Sequence, residues 1–441
     1  MAIPTPAELT EYAARRRRLM EAIGAGGVAI VPAASEVVRN RDAHYRFRQD
    51  SDFWYLTGFL EPDAVLVLAP GRKEGETVLF TRPRDPAREI WDGRRAGPEG
   101  AIRDYGADQA FVVAELPSML PKLLGGRNAV HYTLGEHAHW DEKLTACVRE
   151  IRELSRRGPD APVEFVSLDA SLHEQRLIKT DAELALIRRA CEVSAAAHCR
   201  AMQLTRPGVW EWQVAAEIHH EFERNRMEPG YGSIVGGGDN GCILHYVEND
   251  AQLKDGDLLL IDAGGEYRGY TADITRSFPV NGRYSSAQRE VYEVVLSAQL
   301  AAIDELRVGN PSSRPHEVAT RKLTEGLVAL GLLKGDPDEL IAADKHRQFY
   351  MHGTGHWLGM DVHDVGRYKL DGAPRPFAAG MLMTVEPGLY IAPGTPDVDP
   401  RFHGIGIRIE DDVLITEHGP EVLTGGVPKA IPEIEILMNG S

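Results

Sequence analysis

Residues 256–264 read GDLLLIDAG and residues 380–388 read GMLMTVEPG. The two segments can be laid over each other. Each has a glycine, five mostly apolar residues, an acid, and a second glycine two places later. An apolar run of this kind is the pattern of a buried strand. An acid at its end is costly inside a core unless a cation or a partner neutralises it. Chance could produce one such segment. Two in the same register point to duplicated halves, with Asp262 and Glu386 delivered to a shared centre.

Each of these strands has a neighbour that carries another acid. After Asp262 a turn-like stretch, 266–270, contains Gly269, and residues 271–280 read as a return strand bearing Asp273. After Glu386 the chain passes through 393–400 and returns as 404–415. There Ile405, Ile407 and Ile409 alternate with Gly406, Arg408 and Glu410. Period-two alternation places Arg408 and Glu410 on one face and the isoleucines on the other.

Between the two halves of the pattern lies a histidine-rich stretch, with His352, His356 and His363. The best single ligand set from these residues is Asp262, Asp273, His356, Glu386 and Glu410. Four carboxylates and one imidazole make a hard, oxygen-rich site that suits manganese or another first-row divalent ion better than a thiolate zinc site does. Bridging carboxylates in such hydrolases hold two ions about 3.5–4 Å apart. Taken singly, each acid has a plainer reading as half of a salt bridge, to Arg276 or Arg408. The set is stronger than its members because spacing and strand context agree. His219, His220, His316, His346, His403 and His418 have no such context and read as surface or packing residues.

Outward from this core the chain divides. Its 441 residues exceed one ordinary core and fit two domains. Residues 9–23 are helix-like. Short apolar runs at 27–31, 64–69, 78–80 and 111–113, with an aromatic-rich stretch at 53–59, read as a small α/β domain. Residues 155–163, rich in Arg, Gly and Pro, read as a surface connection. Thr180 with Glu183 forms a capping box that opens a helix running to about Met202. The domain boundary is placed near residue 175, giving 1–175 and 176–441. Further helical patterns cover 211–226, 286–308 and 315–330.

Composition narrows the function. The formal net charge of −17 argues against a nucleic-acid partner. The basic run Arg15 to Arg18 reads as a solvated helix face. The first ten residues lack the apolar core of a secretory signal, and no apolar run is long enough to span a membrane. Cys147, Cys191, Cys199 and Cys242 form no CxxC pair. They read as free, packed thiols in a reducing cytoplasm.

The residues also carry a family resemblance. Residues 352–359 (HGTGHWLG), 361–366 (DVHDVG), 384–390 (TVEPGLY) and 404–411 (GIGIRIED) resemble aminopeptidase P, the Xaa-Pro aminopeptidase. So do 243–246 (ILHY), 261–264 (IDAG), 48–59 (RQDSDFWYLTGF) and 89–91 (EIW). The likeness runs over nearly the whole chain. It implies a creatinase-like α/β amino-terminal domain and a pita-bread α+β catalytic domain with a pseudo-twofold axis. It implies two manganese ions on the five ligands above, with zinc or cobalt as other candidates. It adds His245, His352, His363 and Arg408 as site residues. It also implies homo-oligomers, dimers or tetramers, in which Trp91 and Asp42 reach a neighbouring subunit's site. Thr354 and Gly355, before His356, vary among relatives, which leaves the essential pattern intact.

The expected reaction is hydrolysis of the amino-terminal Xaa-Pro bond of peptides by a hydroxide shared between two divalent cations. Glu386 would be the general base. Asp262 and one metal would hold the free α-amine, and His363 or a metal would stabilise the oxyanion. The Xaa-Pro bond has no N–H, so an apolar wall can accept the proline ring; His245, Tyr231 and Tyr390 are the expected wall. The nearest rival is a prolidase, which cleaves Xaa-Pro dipeptides with the same ligands. A methionine aminopeptidase usually lacks this amino-terminal domain. Metal-free creatine hydrolases and binding modules on this fold typically lose ligands that are all present here.

Overall fold

The computed structural model describes residues 3–440, so Met1 and Ala2 of the stretch read for a signal lie outside the described residues. The chain forms two compact units, the first ending at Gln175 and the second beginning at Arg176. Among the described residues no helix is long and apolar enough to cross a membrane.

The first unit is built on a six-stranded mixed sheet. Its strands lie in the order Gln109–Val112, Thr77–Thr81, Val65–Leu68, Gly27–Pro32, Ala129–His131 and Glu164–Val166. Gly27–Pro32 pairs antiparallel with Val65–Leu68 and parallel with Ala129–His131. The central strands are apolar on both faces because both faces are covered. Val28, Ile30, Val65, Val67, Val78 and Phe80 pack with Leu116, Leu120, Leu144 and Val148 of two helices, Leu116–Leu124 and Ala138–Leu154.

The aromatic-rich stretch is a short helix, Ser51–Thr57. Asp50 caps its start by accepting the Phe53 amide, and Gly58 ends it in the left-handed region at φ 64°. This helix explains why the basic run is not a solvated face. Arg17 and Arg18 are exposed, but Arg15 and Arg16 are buried. The Arg15 guanidinium lies 4.1 Å from the centroid of the Tyr55 ring and donates to the Tyr55 carbonyl. Arg16 donates to the Leu56 carbonyl at 2.8 Å. Both cations donate to carbonyls at a helix C-terminus, where positive charge is favoured.

The second unit opens with the helix Asp181–Leu204. Its capping box is formed by Thr180 and Glu183. Three more long helices follow: Glu211–Arg224, Ser286–Asp304 and Arg314–Ala329. The two echoing segments are both strands, Leu258–Asp262 and Leu382–Val385. Each sits in its own three-stranded antiparallel sheet. The first is flanked by Ile234–Gly237 and Thr275–Pro279; the second pairs with Asp411–Thr416, which in turn pairs with Gly419–Val422. A strand absent from the sequence reading, Gly388–Ile391, pairs with Ile405–Arg408.

The two return strands are not continuous. Residues 271–280 contain a break between Tyr270–Thr271 and Thr275–Pro279, and Asp273 lies in it. The stretch 404–415 breaks between Ile405–Arg408 and Asp411–Thr416, and Glu410 lies there. The stretch read as a turn at 266–270 holds the tight hairpin between Gly265–Tyr267 and Tyr270–Thr271, with Arg268 and Gly269 at positive φ.

A buried ion cluster fixes the segment after the histidine stretch. Asp364 accepts from Arg176 at 2.6 Å and Lys179 at 2.9 Å, and the side chains of Lys179 and Asp364 are each 1% exposed. Burial alone would raise the Asp364 pKa, but Lys179 and Arg176 hold it below the usual carboxylate value. A depressed folded pKa stabilises the fold above the unfolded value and is lost as pH falls through the folded one. Asp364→Asn removes the carboxylate that Lys179 and Arg176 share, leaving Arg176 its second acid, Asp361, and should cost about 3 kcal/mol in urea unfolding. Wild-type stability should fall as pH drops below about 4, and the variant should lose that part of the pH dependence. Equal unfolding midpoints at pH 7 would show that the pairing contributes nothing.

Candidate metal centre

The five residues of the ligand set come together from strand ends and one loop. Asp262 is the last residue of its strand, and Glu386 follows the last residue of Leu382–Val385. Asp273 and Glu410 occupy the two breaks. In each break a side chain takes one backbone group that a ladder would otherwise use. The Asp273 amide donates to the Asp412 carboxylate at 3.0 Å. The Glu410 amide donates to the Thr275 carbonyl, while Arg276 donates to the Glu410 carbonyl. The sheet thus opens at the positions that carry the acids.

His356 arrives on a segment laid against the 382–385 strand. Its amide donates to the Thr384 hydroxyl, and its carbonyl accepts the Thr384 amide at 2.9 Å. Gly355 permits this approach: a Cβ there would stand 1.9 Å from the Thr384 carbonyl oxygen. His356 Nε2 lies 3.4 Å from Asp273 and 3.7 Å from Glu386. Ligand atoms of Asp273, His356 and Glu410 lie within 4.8 Å of one another.

The electrostatics match a site built for cations. Burial raises the pKa of Asp262, Glu386 and Glu410, with Glu386 pushed up to about 7. Neighbouring carboxylates add to the rise at all three, against the opposing pull of Arg408. For His356 burial works downward, but Asp273 and Glu386 outweigh it and lift the imidazole to about 9. A crowd of buried acids that draws protons onto itself is the donor chemistry that hard divalent cations replace. The residues therefore fit a cation-binding centre.

The remaining expected site residues fall into three groups. His245, His352, His363, Tyr231 and Arg408 line a cavity of about 480 Å³ with the ligand set. His245 and His363 are open to solvent, and the His363 ring stands edge-on to His356 with centroids 4.4 Å apart. Burial, then Arg408, lowers the His352 pKa to about 4, and burial also lowers that of His363.

Two tyrosines differ from the wall expected of them. The Tyr231 hydroxyl sits between Asp262, at 2.7 Å, and Asp273, at 2.5 Å. It therefore bridges two acids of the expected ligand set as well as lining the cavity. Tyr390 is absent from the lining. It is buried behind the site, hydrogen bonded to His352 Nε2 and accepting from Arg408. Arg408 also donates to Asp262 at 2.7 Å and to Thr275, so it is the partner of one acid. Arg276 pairs with Asp411, which is not in the ligand set. The third group, Trp91 and Asp42, lies in the first unit. Trp91 is 83% exposed on the helix Pro86–Asp92, and Asp42 is exposed at the tip of the hairpin Val38–Asn40/Ala43–His44.

Several residues at the site were not singled out from the sequence. Thr275 donates to Glu410 at 2.5 Å. Thr354 accepts the Glu386 amide on its carbonyl. His316, read as a surface or packing residue, is hydrogen bonded to the Thr354 hydroxyl at 2.8 Å. Thr354 had a visible signal in its place between His352 and His356; Thr275 and His316 had none in local spacing.

Comparison with known proteins agrees with this geometry. The pattern of metallopeptidase family M24 matches residues 185–417, and that of the aminopeptidase P amino-terminal domain matches residues 12–132. The chain is 48% identical to an Xaa-Pro aminopeptidase of Escherichia coli over 97% of both chains. It is 34% identical to human Xaa-Pro aminopeptidase 3 over 96% of this chain and 85% of that one. Among solved structures, a Pseudomonas aeruginosa aminopeptidase superimposes with a TM-score of 0.96 at 53% identity, covering 99% of each chain. A zinc-substituted E. coli aminopeptidase P with bound product superimposes with a TM-score of 0.94 at 48% identity, covering 98% of each.

The ligand set makes a prediction that does not depend on activity. Chelator-stripped protein should melt higher when manganese, zinc or cobalt is restored, by about 2.7 kcal/mol at one hundred times the dissociation constant. His356→Ala or Asp273→Asn should remove most of that rise. A rise of wild-type size in both variants would place the ions elsewhere.

Proposed function

The chain belongs to metallopeptidase family M24, as an Xaa-Pro aminopeptidase, and from that premise we propose how its residues divide the work. The observation that carries the assignment of roles is the convergence of Asp262, Asp273, His356, Glu386 and Glu410 on one cavity. These five would hold two divalent cations, and their oxygen-rich character favours manganese, with zinc or cobalt able to take the same donors. When bound, the cations supply an activated water and a Lewis acid for the peptide carbonyl.

The remaining steps belong to side chains. Glu386 takes the proton of the attacking water and returns it to the proline nitrogen as the C–N bond breaks. Asp262 holds the substrate's free α-amine, which restricts cleavage to the first residue. His363, at the cavity mouth, donates to the developing oxyanion. His245, on the same rim with Leu244 and Val247, contacts the substrate around the scissile bond. A tertiary amide offers no N–H, and apolar groups on this rim accept the proline ring without one. Arg408 keeps Asp262 oriented through its bond to that carboxylate.

We take residues 1–175 as the creatinase-like domain and 176–441 as the pita-bread domain. The exposed Ile90 and Trp91 support a homo-oligomer, a dimer or tetramer, in which Trp91 and Asp42 approach a neighbouring site. The four free cysteines support a cytoplasmic location. Peptides with proline second are the partners; the net charge of −17 disfavours nucleic acid.

Manganese-loaded protein should release the first residue from an Xaa-Pro-Yaa tripeptide much faster than from an Xaa-Pro dipeptide, by product analysis. Preference for the dipeptide would reassign the substrate to that of a prolidase. Glu386→Gln should fold normally and lose turnover by orders of magnitude; near-normal turnover would exclude it as the base.

A further inference from the structure

Thr354 connects Glu386 to groups outside the cavity. It is buried, and its carbonyl accepts the Glu386 amide at 2.7 Å. Its hydroxyl is hydrogen bonded to His316 Nδ1 at 2.8 Å and to the Tyr350 hydroxyl at 2.5 Å. Tyr350 is buried, with its ring edge-on to His352 and centroids 5.0 Å apart. His316 stands in the first turn of Arg314–Ala329 and is open to solvent. Neither His316 nor Tyr350 lines the cavity.

The protons of these groups can be counted. Each hydroxyl has one to give. If Tyr350 donates to Thr354, the Thr354 proton goes to His316 Nδ1, and His316 is neutral with its proton on Nε2. The ring is only partly enclosed, and that enclosure, with the nearby His346 and Arg347, pushes the His316 pKa down, which favours that form. Thr354 is then locked from two sides. Glu386 lies just beyond its strand, and its amide is bonded to Thr354. The placement of its carboxylate therefore depends on the Thr354 peptide.

We infer that His316 and Tyr350, acting through Thr354, are positioning residues that set Glu386 in the cavity. The inference rests on Glu386 being the general base, as proposed above. Neither the His316 side chain nor the Tyr350 ring need touch substrate for this. Misplacement of a catalytic group by about 1 Å can cost about a hundredfold in rate.

The test uses the full chain loaded with manganese and an Xaa-Pro-Yaa tripeptide. Thr354→Val, Thr354→Ser, His316→Ala and Glu386→Gln are compared for kcat, KM, bound metal per chain and melting temperature. His316→Ala changes a solvent-facing residue and so serves if Thr354→Val folds poorly. Thr354→Val and His316→Ala should lower kcat about tenfold or more while KM and bound metal stay at wild-type values. Thr354→Ser, which keeps the hydroxyl, should stay within about twofold of wild type. Unchanged kcat in Thr354→Val and His316→Ala, with Glu386→Gln inactive, overturns the inference and leaves the base in place. An active Glu386→Gln overturns the base itself. A fall in kcat matched by an equal loss of bound metal, or shared by Thr354→Ser, makes the chain a structural support and overturns the inference as well.

Discussion

Carboxylates of like charge, crowded where water is largely excluded, repel one another, and burial makes each charge more costly. Asp262, Asp273, Glu386 and Glu410 are in that position. The protein supplies Arg408 against Asp262, the Tyr231 hydroxyl between Asp262 and Asp273, and Thr275 against Glu410. These partners orient the acids without neutralising all of them. The remaining demand for positive charge is one that a divalent cation would meet.

The same constraint shapes the backbone. A continuous ladder would fix every amide and carbonyl in strand pairing. Here the ladders stop where the acids stand, and one freed group in each break is satisfied by a side chain from the other half of the unit. Asp412 takes the Asp273 amide, and Arg276 takes the Glu410 carbonyl. Arg276 is itself held by Asp411, which also accepts from Lys429 and Gln299. This buried network joins the two halves next to Glu410. Below it, Trp357, Met383, Val385, Val413 and Ile415 pack into one apolar cluster. A precise site is thus carried on stiff elements.

The first unit solves a smaller version of the same problem. Burying Arg16 costs solvation and lowers its pKa to about 10. The carbonyls at the end of the helix Ser51–Thr57 repay that cost in part, and a run of four basic residues divides into an inward pair and an outward pair. Composition alone reads such a run as one solvated face, because it holds no information about which helix end will lie beside it.

The acids at the ends of two apolar runs, the alternation in 404–411 and the histidine stretch made the duplicated halves and the five residues that meet in one cavity legible in the sequence. These signals are local: strand periodicity and the cost of a buried charge act within a few residues. The strand breaks at Asp273 and Glu410 were not legible, since the groups that replace the ladder come from residues up to 139 positions away. The same holds for Tyr390, which the chain places behind His352 rather than on the substrate side, and for His316, whose partner Thr354 is 38 residues distant. The sequence by itself determined which acids and which histidine would meet in one cavity. The tertiary structure decided which of their neighbours orient them, because hydrogen-bond partners are chosen by distance in space and not along the chain.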